Sequence, residues 1–132
     1  MRKIEQQVCE AIRSGKDFKE GSSRVEHIEF LELPTRAYYY LHDNNIAEIH
    51  HDCIKINHCG YITATTRSRL NALLVEFCGP GYGVSMSGGR FLVRMPSEIK
   101  GCSWSWQVME SNARWITIKR PNHTITPETE EL

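Results

Sequence analysis

The sequence predicts an α+β fold, with a mostly antiparallel sheet of about six to eight strands and two helices packed on it. Two segments carry apolar residues at helical spacing, whereas most of the remaining chain alternates apolar and polar residues as β-strands do. Short turns rich in Gly, Asn and Asp join the strand-like segments, and such turns connect antiparallel neighbours.

The first predicted element is an amphipathic helix over residues 2–14, where apolar residues recur at i, i+4, i+7 and i+8. Gly15 can end this helix in the left-handed conformation. Polar residues 16–23 predict a loop. Residues 24–33 are rich in Val, Ile, Phe and Leu and predict a strand, which Pro34 stops or bends.

Residues 35–58 predict a β-meander. The segment 36–41 is rich in aromatic residues, as strands are, and residues 42–45 supply a turn that tolerates positive φ. Residues 46–50 predict the antiparallel strand that follows, and residues 53–58 predict a third strand.

The clearest helix covers residues 66–77, with Thr65 or Thr66 as its N-terminal cap. The segment Gly79-Pro80-Gly81 ends it. Its apolar stripe, at i, i+3, i+4 and i+7, consists of Leu70, Leu73, Leu74 and Phe77.

The last third of the chain predicts a hairpin and two further strands. Segments 82–86 and 90–95 flank a Ser-Gly-Gly turn. Apolar and polar residues alternate over 104–108, and a turn at Ser111-Asn112 leads into a last strand over 114–119.

Length and charge limit the class of protein. With 132 residues, 40% of them hydrophobic, the chain can bury a core without metal or disulfide cross-links. We expect one α+β domain over residues 1–120 and a flexible polar tail over residues 121–132. Sixteen basic and 16 acidic residues give a formal net charge of zero, which disfavours a general nucleic-acid binder and excludes a mimic of DNA by acidic charge.

No apolar run approaches the roughly 18 residues of a membrane span, and the N-terminus lacks an apolar signal segment. Five cysteines are an odd number. We therefore expect free thiols, a cytoplasmic location and no membrane partner.

The start of the second helix carries the sharpest binding hypothesis. Arginines there oppose the helix dipole, and together with free N–H groups and hydroxyls they could hold a phosphate or carboxylate. The alternative, which we favour, is that a threonine only caps the helix and both arginines pair with acidic side chains elsewhere. The residues concerned are Thr65, Thr66, Arg67 and Arg69.

A second candidate surface is aromatic and could stack nucleic-acid bases. It consists of Arg36, Tyr38 and Tyr40. Strand alternation points Tyr39 to the opposite face, so a well-packed, half-buried sheet is the favoured alternative. Trp104 and Trp106 share a face, and Trp115 could pair with them across the turn.

A polar cluster suggests a metal site, because zinc binds His nitrogen and Cys sulfur. Its members are His50, His51, Cys53, His58 and Cys59. The spacing matches no standard zinc pattern, and strand alternation scatters the side chains. Turn histidines and partly buried strand cysteines are therefore the favoured interpretation, and we expect neither a structural metal nor a cofactor.

Three segments resemble a group of small uncharacterised tailed-phage and prophage proteins. They are Tyr-Leu-His-Asp-Asn-Asn-Ile-Ala from Tyr40, Gly-Tyr-Ile-Thr from Gly60, and Thr-Thr-Arg-Ser-Arg-Leu-Asn-Ala-Leu-Leu from Thr65. The similarity covers about residues 22–95, more than half of the chain. Asp43 and Tyr61 depart from the pattern, which usually has Gly and Trp there. The resemblance implies a phage-encoded intracellular protein and carries no catalytic residue. The positions at which the chain shares the motif of this group are Thr65, Thr66, Arg67, Arg69 and Asn71.

Catalytic motifs are missing from the sequence: it has no nucleophile elbow, P-loop or dinucleotide fingerprint. We therefore expect a non-enzymatic protein that binds a host or phage macromolecule, with a protein as the favoured partner and a homo-oligomer as an open possibility. The alternative is a nucleic-acid-binding accessory protein that uses Arg67, Arg69 and the strand aromatics.

Overall fold

The computed structural model describes residues 1–110 and 115–121, which contain two helices and nine strands. The predicted turn at Ser111-Asn112, the first residue of the predicted last strand and the predicted tail beyond residue 121 lie outside the described residues. The elements are α1 (Lys3–Ser14), β1 (Phe18–Glu20), β2 (Ser23–Phe30), β3 (Leu33–Leu41), β4 (Asn44–Ile49), β5 (Cys53–Ile56), α2 (Ala64–Cys78), β6 (Gly83–Ser87), β7 (Arg90–Pro96), β8 (Trp104–Val108) and β9 (Ile116–Lys119).

The strands form two antiparallel sheets, which confirms the predicted α+β class. A six-stranded sheet has the order β1-β2-β3-β4-β5-β9, and a three-stranded sheet has the order β6-β7-β8. The two sheets and both helices contribute to one cluster of buried apolar side chains. Its largest fully buried members include Tyr39 of the six-stranded sheet and Phe91 of the three-stranded sheet.

The predicted strand over residues 24–33 instead covers most of β2, a two-residue turn and the first residue of β3. Phe30 pairs with Leu33, and Glu32 between them has a φ of 66°, so the chain reverses within two residues. Pro34 therefore lies inside β3. Since pairing with β4 begins only at Ala37, the missing N–H of this proline interrupts no bond to β4.

Two other differences concern strand partners. β1 occupies the segment predicted as a loop and pairs with the start of β2. β9 pairs with β5 rather than with β8, with Cys53 opposite Lys119. The suggested pairing of Trp115 with Trp104 and Trp106 across the turn is not formed, because Trp115 leads into β9 of the six-stranded sheet, whereas β8 belongs to the three-stranded sheet.

Helix α2 begins at Ala64, earlier than predicted, and its N-terminal cap is Thr63 rather than Thr65 or Thr66. The Thr63 side chain accepts a hydrogen bond from the amide of Thr66 at 3.1 Å. The predicted apolar stripe of this helix is buried as expected: Leu70 and Leu74 are 0% exposed. Among residues 1–110 and 115–121, the helices are too short or too polar to cross a membrane.

Candidate functional site

The early start of α2 changes the meaning of its two arginines. With Thr63 as the cap, Arg67 and Arg69 lie beyond the first turn, and the amide of Arg67 already donates to the Thr63 carbonyl at 3.0 Å. The unpaired amides of a helix belong to its first turn. The expected pair of cations beside unpaired N–H groups is therefore not formed.

Arg69 is committed to a buried carboxylate of α1. Its Nη1 lies 2.8 Å from Oε2 of Glu5, which also accepts a bond of 2.5 Å from the hydroxyl of Ser68. The other oxygen of Glu5 accepts from the amide of Arg2 at 3.0 Å. Glu5 is only 3% exposed, so this arginine neutralises a charge inside the fold. No local sequence pattern indicates this partner, since 64 residues separate Arg69 from Glu5.

Arg67 and Asn71 fasten the edge of the three-stranded sheet to α2. The Asn71 side-chain oxygen accepts from the amide of Val84 at 2.9 Å, and Arg67 Nη1 donates to the Val84 carbonyl at 3.4 Å. The approach is close: a Cβ on Gly83 would lie 2.7 Å from the Asn71 oxygen. Covering the backbone of an edge strand prevents it from pairing with another chain, which gives both residues a role in the fold.

The two threonines of this segment are in different environments. Thr66 is 2% exposed, and its hydroxyl accepts a hydrogen bond of 3.1 Å from Thr63. Thr65 is half-buried and lines a mostly apolar cleft of about 440 Å³ with His42 and Tyr61. The start of α2 therefore pairs the hydroxyls of Thr63 and Thr66 with each other and leaves Thr65 at the cleft, rather than directing a set of groups at an anion.

The face of the six-stranded sheet that carries Tyr38 and Tyr40 is covered in part by charged side chains of the adjacent strands. Tyr38 and Tyr40 are half-buried on the side opposite the core. Glu26 and Glu48 sit directly across from Tyr38 on the two adjacent strands. The guanidinium of Arg24 covers the Tyr40 ring at 4.1 Å. The carboxylates of Glu26 and Glu48, beside the Tyr38 ring, would repel the phosphate backbone of a nucleic acid.

Arg36, the third member of that predicted platform, is engaged by a phenylalanine of the neighbouring strand. Its guanidinium lies over the Phe30 ring at 4.6 Å from the centroid. The structure thus places the three predicted residues on one face but engages them with different neighbours.

The outer face of the three-stranded sheet carries a tryptophan and arginine cluster. Arg94 pairs with Trp106 across β7 and β8, and its guanidinium lies 4.9 Å from the Trp104 ring and 5.9 Å from the Trp106 ring. Trp106 is 53% exposed. Strand alternation places Leu92 and Val108, both half-buried, on the same face. We call these five residues the tryptophan face.

A glycine of the loop after α2 fixes the position of Trp104. A Cβ on Gly81 would lie 2.3 Å from that ring, and the glycine has a φ of 97°. Tyr82 meets the same ring edge-on, with centroids 5.3 Å apart. The sequence predicts this Gly-rich segment only as a helix stop, whereas it also provides the space in which the tryptophan packs.

The five metal candidates are divided between the two ends of β5. His58 is fully buried edge-on against Phe91, with ring centroids 5.5 Å apart, and the Cys59 thiol donates to the Asn45 carbonyl at 3.2 Å. His50 and Cys53 lie at the other end, where His50 begins the turn between β4 and β5 and Cys53 is the first residue of β5. There a possible ligand atom of each lies within 4.8 Å of a carboxylate oxygen of Asp52.

Two groups of that turn have further partners. His50 Nε2 lies 3.2 Å from Oε1 of Glu48. Burial and the neighbouring Asp52 raise the pKa of the Cys53 thiol. The remaining candidate, His51, is exposed, with Nδ1 at 4.0 Å from Oδ1 of Asp52.

Comparison with known families decides the class of protein. The model of one phage protein family, the Kyanoviridae Gp96 protein, matches residues 1–116 of the 132-residue chain. The chain belongs to this family. The match runs from residue 1 to the first residue of β9, so the matched part of the chain contains both helices and the tryptophan face. No curated protein and no solved structure matches the chain.

Membership of the Kyanoviridae Gp96 family confirms the expected tailed-phage origin. That other members of the family share the motifs on which the resemblance rests stays a prediction. In the fold, their residues mainly secure α2: Arg69 binds α1, Asn71 binds β6, and Thr66 closes the helix start.

Proposed function

We propose that this Kyanoviridae Gp96 protein is a non-enzymatic binding protein that docks onto an acidic surface of a host or phage protein. The tryptophan face is the docking surface. The observation that carries the proposal is the stacking of Arg94 against Trp104 and Trp106 on a sheet face with an exposed tryptophan ring.

The composition of this face supports a protein partner. Trp, Tyr and Arg are enriched among the residues that dominate binding energy at protein interfaces, and apolar area around such residues helps to exclude water from them. Leu92 and Val108 supply that apolar area beside the two rings. A rigid β-sheet also presents its side chains at little cost in conformational entropy.

The charge of the face supports an acidic partner. Within residues 1–110 and 115–121, neither Arg90 nor Arg94 forms an ion pair. Arg90 is exposed at the start of β7, on the same side as Arg94. Two cations beside apolar rings complement a surface that carries carboxylates among apolar residues.

Nucleic acid is the second candidate, since exposed tryptophans on a sheet also stack bases. The formal net charge of zero weighs against it. So does the commitment of Arg69 to Glu5 and of Arg67 to Val84, which leaves the predicted cationic surface at α2 much weaker. A protein partner therefore accounts for more of the observations.

The test is affinity capture from phage-infected host cells, with the full chain as bait, followed by binding measurements on the purified captured protein. Trp106→Ala should weaken binding by at least about 30-fold, the loss expected of a dominant interface residue. Arg94→Glu should weaken it further by reversing the charge. Tyr61→Ala is the matched control, because this aromatic residue is 52% exposed and lies before α2 rather than on the tryptophan face.

Several outcomes would contradict the proposal. Loss of binding in Tyr61→Ala with retention in Trp106→Ala would move the interface to the start of α2. Binding to DNA or RNA that weakens steeply with salt would favour the nucleic-acid alternative. Self-association that Trp106→Ala abolishes would identify a second copy of the chain as the occupant of the face.

A further inference from the structure

The turn between β4 and β5 brings together three side chains with different donor atoms. A ring nitrogen of His50, a carboxylate oxygen of Asp52 and the sulfur of Cys53 all lie within 4.8 Å of one another. We propose that this turn is a site for a divalent metal ion of the zinc type. The site is independent of the tryptophan face and of the function proposed for it.

The donor set determines the class of ion. Imidazole nitrogen and thiolate sulfur suit zinc and similar ions of intermediate softness, whereas calcium and magnesium require oxygen ligands. Three protein ligands also leave a fourth tetrahedral position for water or an exchangeable ligand. The arrangement therefore corresponds to an open site rather than to a closed structural one.

Glu48 provides the outer contact that ligating histidines usually have. Its Oε1 lies 3.2 Å from Nε2 of His50, so the carboxylate can hold the ring and its tautomer. An imidazole that donates Nε2–H to Glu48 keeps its lone pair on Nδ1, which is the form that a metal needs.

The backbone of the turn is fixed from two sides. The amide of His50 donates to the Cys53 carbonyl at 2.8 Å and closes the turn. Arg120 spans it, since its amide donates to the Asp52 carbonyl at 3.0 Å and its Nη1 donates to the His50 carbonyl at 2.9 Å. The three ligands are thus presented by an ordered segment, which lowers the cost of gathering them around an ion.

The charge and space around the site also fit an ion. The side chains line a cleft of about 300 Å³ that includes Arg36 and Lys55. Binding of Zn²⁺ releases the thiol proton of Cys53 to solvent, so one thiolate and one carboxylate balance the double positive charge. The two neighbouring cations then face a neutral centre, and an anion can occupy the open position.

The site adds to the fold without being needed for it. The core consists of buried apolar residues from both sheets and both helices, and the turn lies at one end of the six-stranded sheet. Protein purified without added metal should therefore hold less than one zinc per chain, and a chelator should leave its melting temperature unchanged. Added zinc should raise that temperature through preferential binding to the folded state.

The test uses the full chain, titrated with Zn²⁺ in equilibrium dialysis and with Co²⁺ in absorption spectroscopy. We expect one ion per chain and a sulfur-to-cobalt charge-transfer band. Cys53→Ser should abolish the band, Asp52→Asn should weaken Zn²⁺ binding by at least tenfold, and Glu48→Gln should weaken it by about 10- to 100-fold. Cys59→Ser and Cys102→Ser are matched controls that should retain the band and one ion per chain.

The outcomes separate the proposal from its alternatives. Absence of Zn²⁺ binding, or a Cys53→Ser variant that keeps the band, overturns it. Loss of the band in Cys102→Ser would assign the metal to an exposed surface thiol. Asp52→Asn and Glu48→Gln keep the volume of the side chains, so they test the site even where replacement of Cys53 impairs folding.

Discussion

Glu5 and Arg69 form an ion pair between the two helices, with 2.8 Å between Oε2 and Nη1. Both side chains are largely removed from water, at 3% and 11% exposure. Arg69, one of the two arginines of the helix motif, thus holds α1 against α2. This contact between the helices explains why an arginine occupies position 69 without a bound ligand.

The first prediction compares the two arginines of α2. Arg69→Ala should lower the free energy of unfolding by about 3–5 kcal/mol, because it leaves the Glu5 carboxylate buried without its charge partner. Arg67→Ala should cost only about 1 kcal/mol, since it removes one long hydrogen bond to Val84. Urea unfolding of both variants measures the difference, and equal losses would contradict the structural role given to Arg69.

The second prediction concerns acid stability. Burial by itself raises the pKa of the Glu5 carboxyl, but hydrogen bonds from Ser68, the Arg2 amide and Arg69, with the charge of Arg69, outweigh burial and lower the pKa from its ordinary value of 4.5. The unfolded chain therefore takes up this proton at a higher pH than the folded chain does. The contribution to stability is complete above the unfolded value and is lost as the pH falls through the lowered folded value.

Glu5→Gln should accordingly flatten the pH dependence of stability in acid. Urea midpoints measured between about pH 6 and pH 3 should fall less steeply in this variant than in the parent protein. Parallel curves for the two proteins would show that another group controls acid unfolding.

The third prediction tests the apolar stripe of α2. Leu74→Ala should cost about 2–5 kcal/mol, because this side chain is 0% exposed and its removal leaves a cavity in the core. Val75→Ala, at the next position and 39% exposed, should change stability by less than about 0.5 kcal/mol. Thermal and urea unfolding both report the contrast, and a loss below about 0.5 kcal/mol in Leu74→Ala would place the stripe at the surface.

The fourth prediction isolates the contact between Gly81 and Trp104. Both Gly81 and Gly60 have positive φ, at 97° and 86°, but only Gly81 has ring atoms where a Cβ would stand. Gly60→Ala should cost about 1–2 kcal/mol from backbone strain alone. Gly81→Ala should cost more and should shift the tryptophan fluorescence, because the Trp104 ring must move. Equal losses in the two variants would mean that the ring does not depend on this glycine.

Local sequence patterns correctly predicted the elements that depend only on residues close together in the chain. The helical period predicts α1 and the buried face of α2, and the Ser-Gly-Gly turn predicts the hairpin of β6 and β7. Alternation likewise places Tyr39 inward and Tyr38 outward. The cap of α2 was misplaced because Thr63, Thr65 and Thr66 are all good capping residues, and only the hydrogen bond from the Thr66 amide selects among them.

The sequence by itself determined the α+β class, the helix faces and the alternation of most strands, because these depend on residues a few positions apart. The tertiary structure alone decided that β9 joins β5, that Glu5 neutralises Arg69, and that Trp104 packs over Gly81. These contacts join residues far apart in the chain, and a local pattern cannot specify which of several compatible partners meets another. The packing of all elements around one core makes that choice, since a buried charge must find its counter-charge and a buried ring must find space.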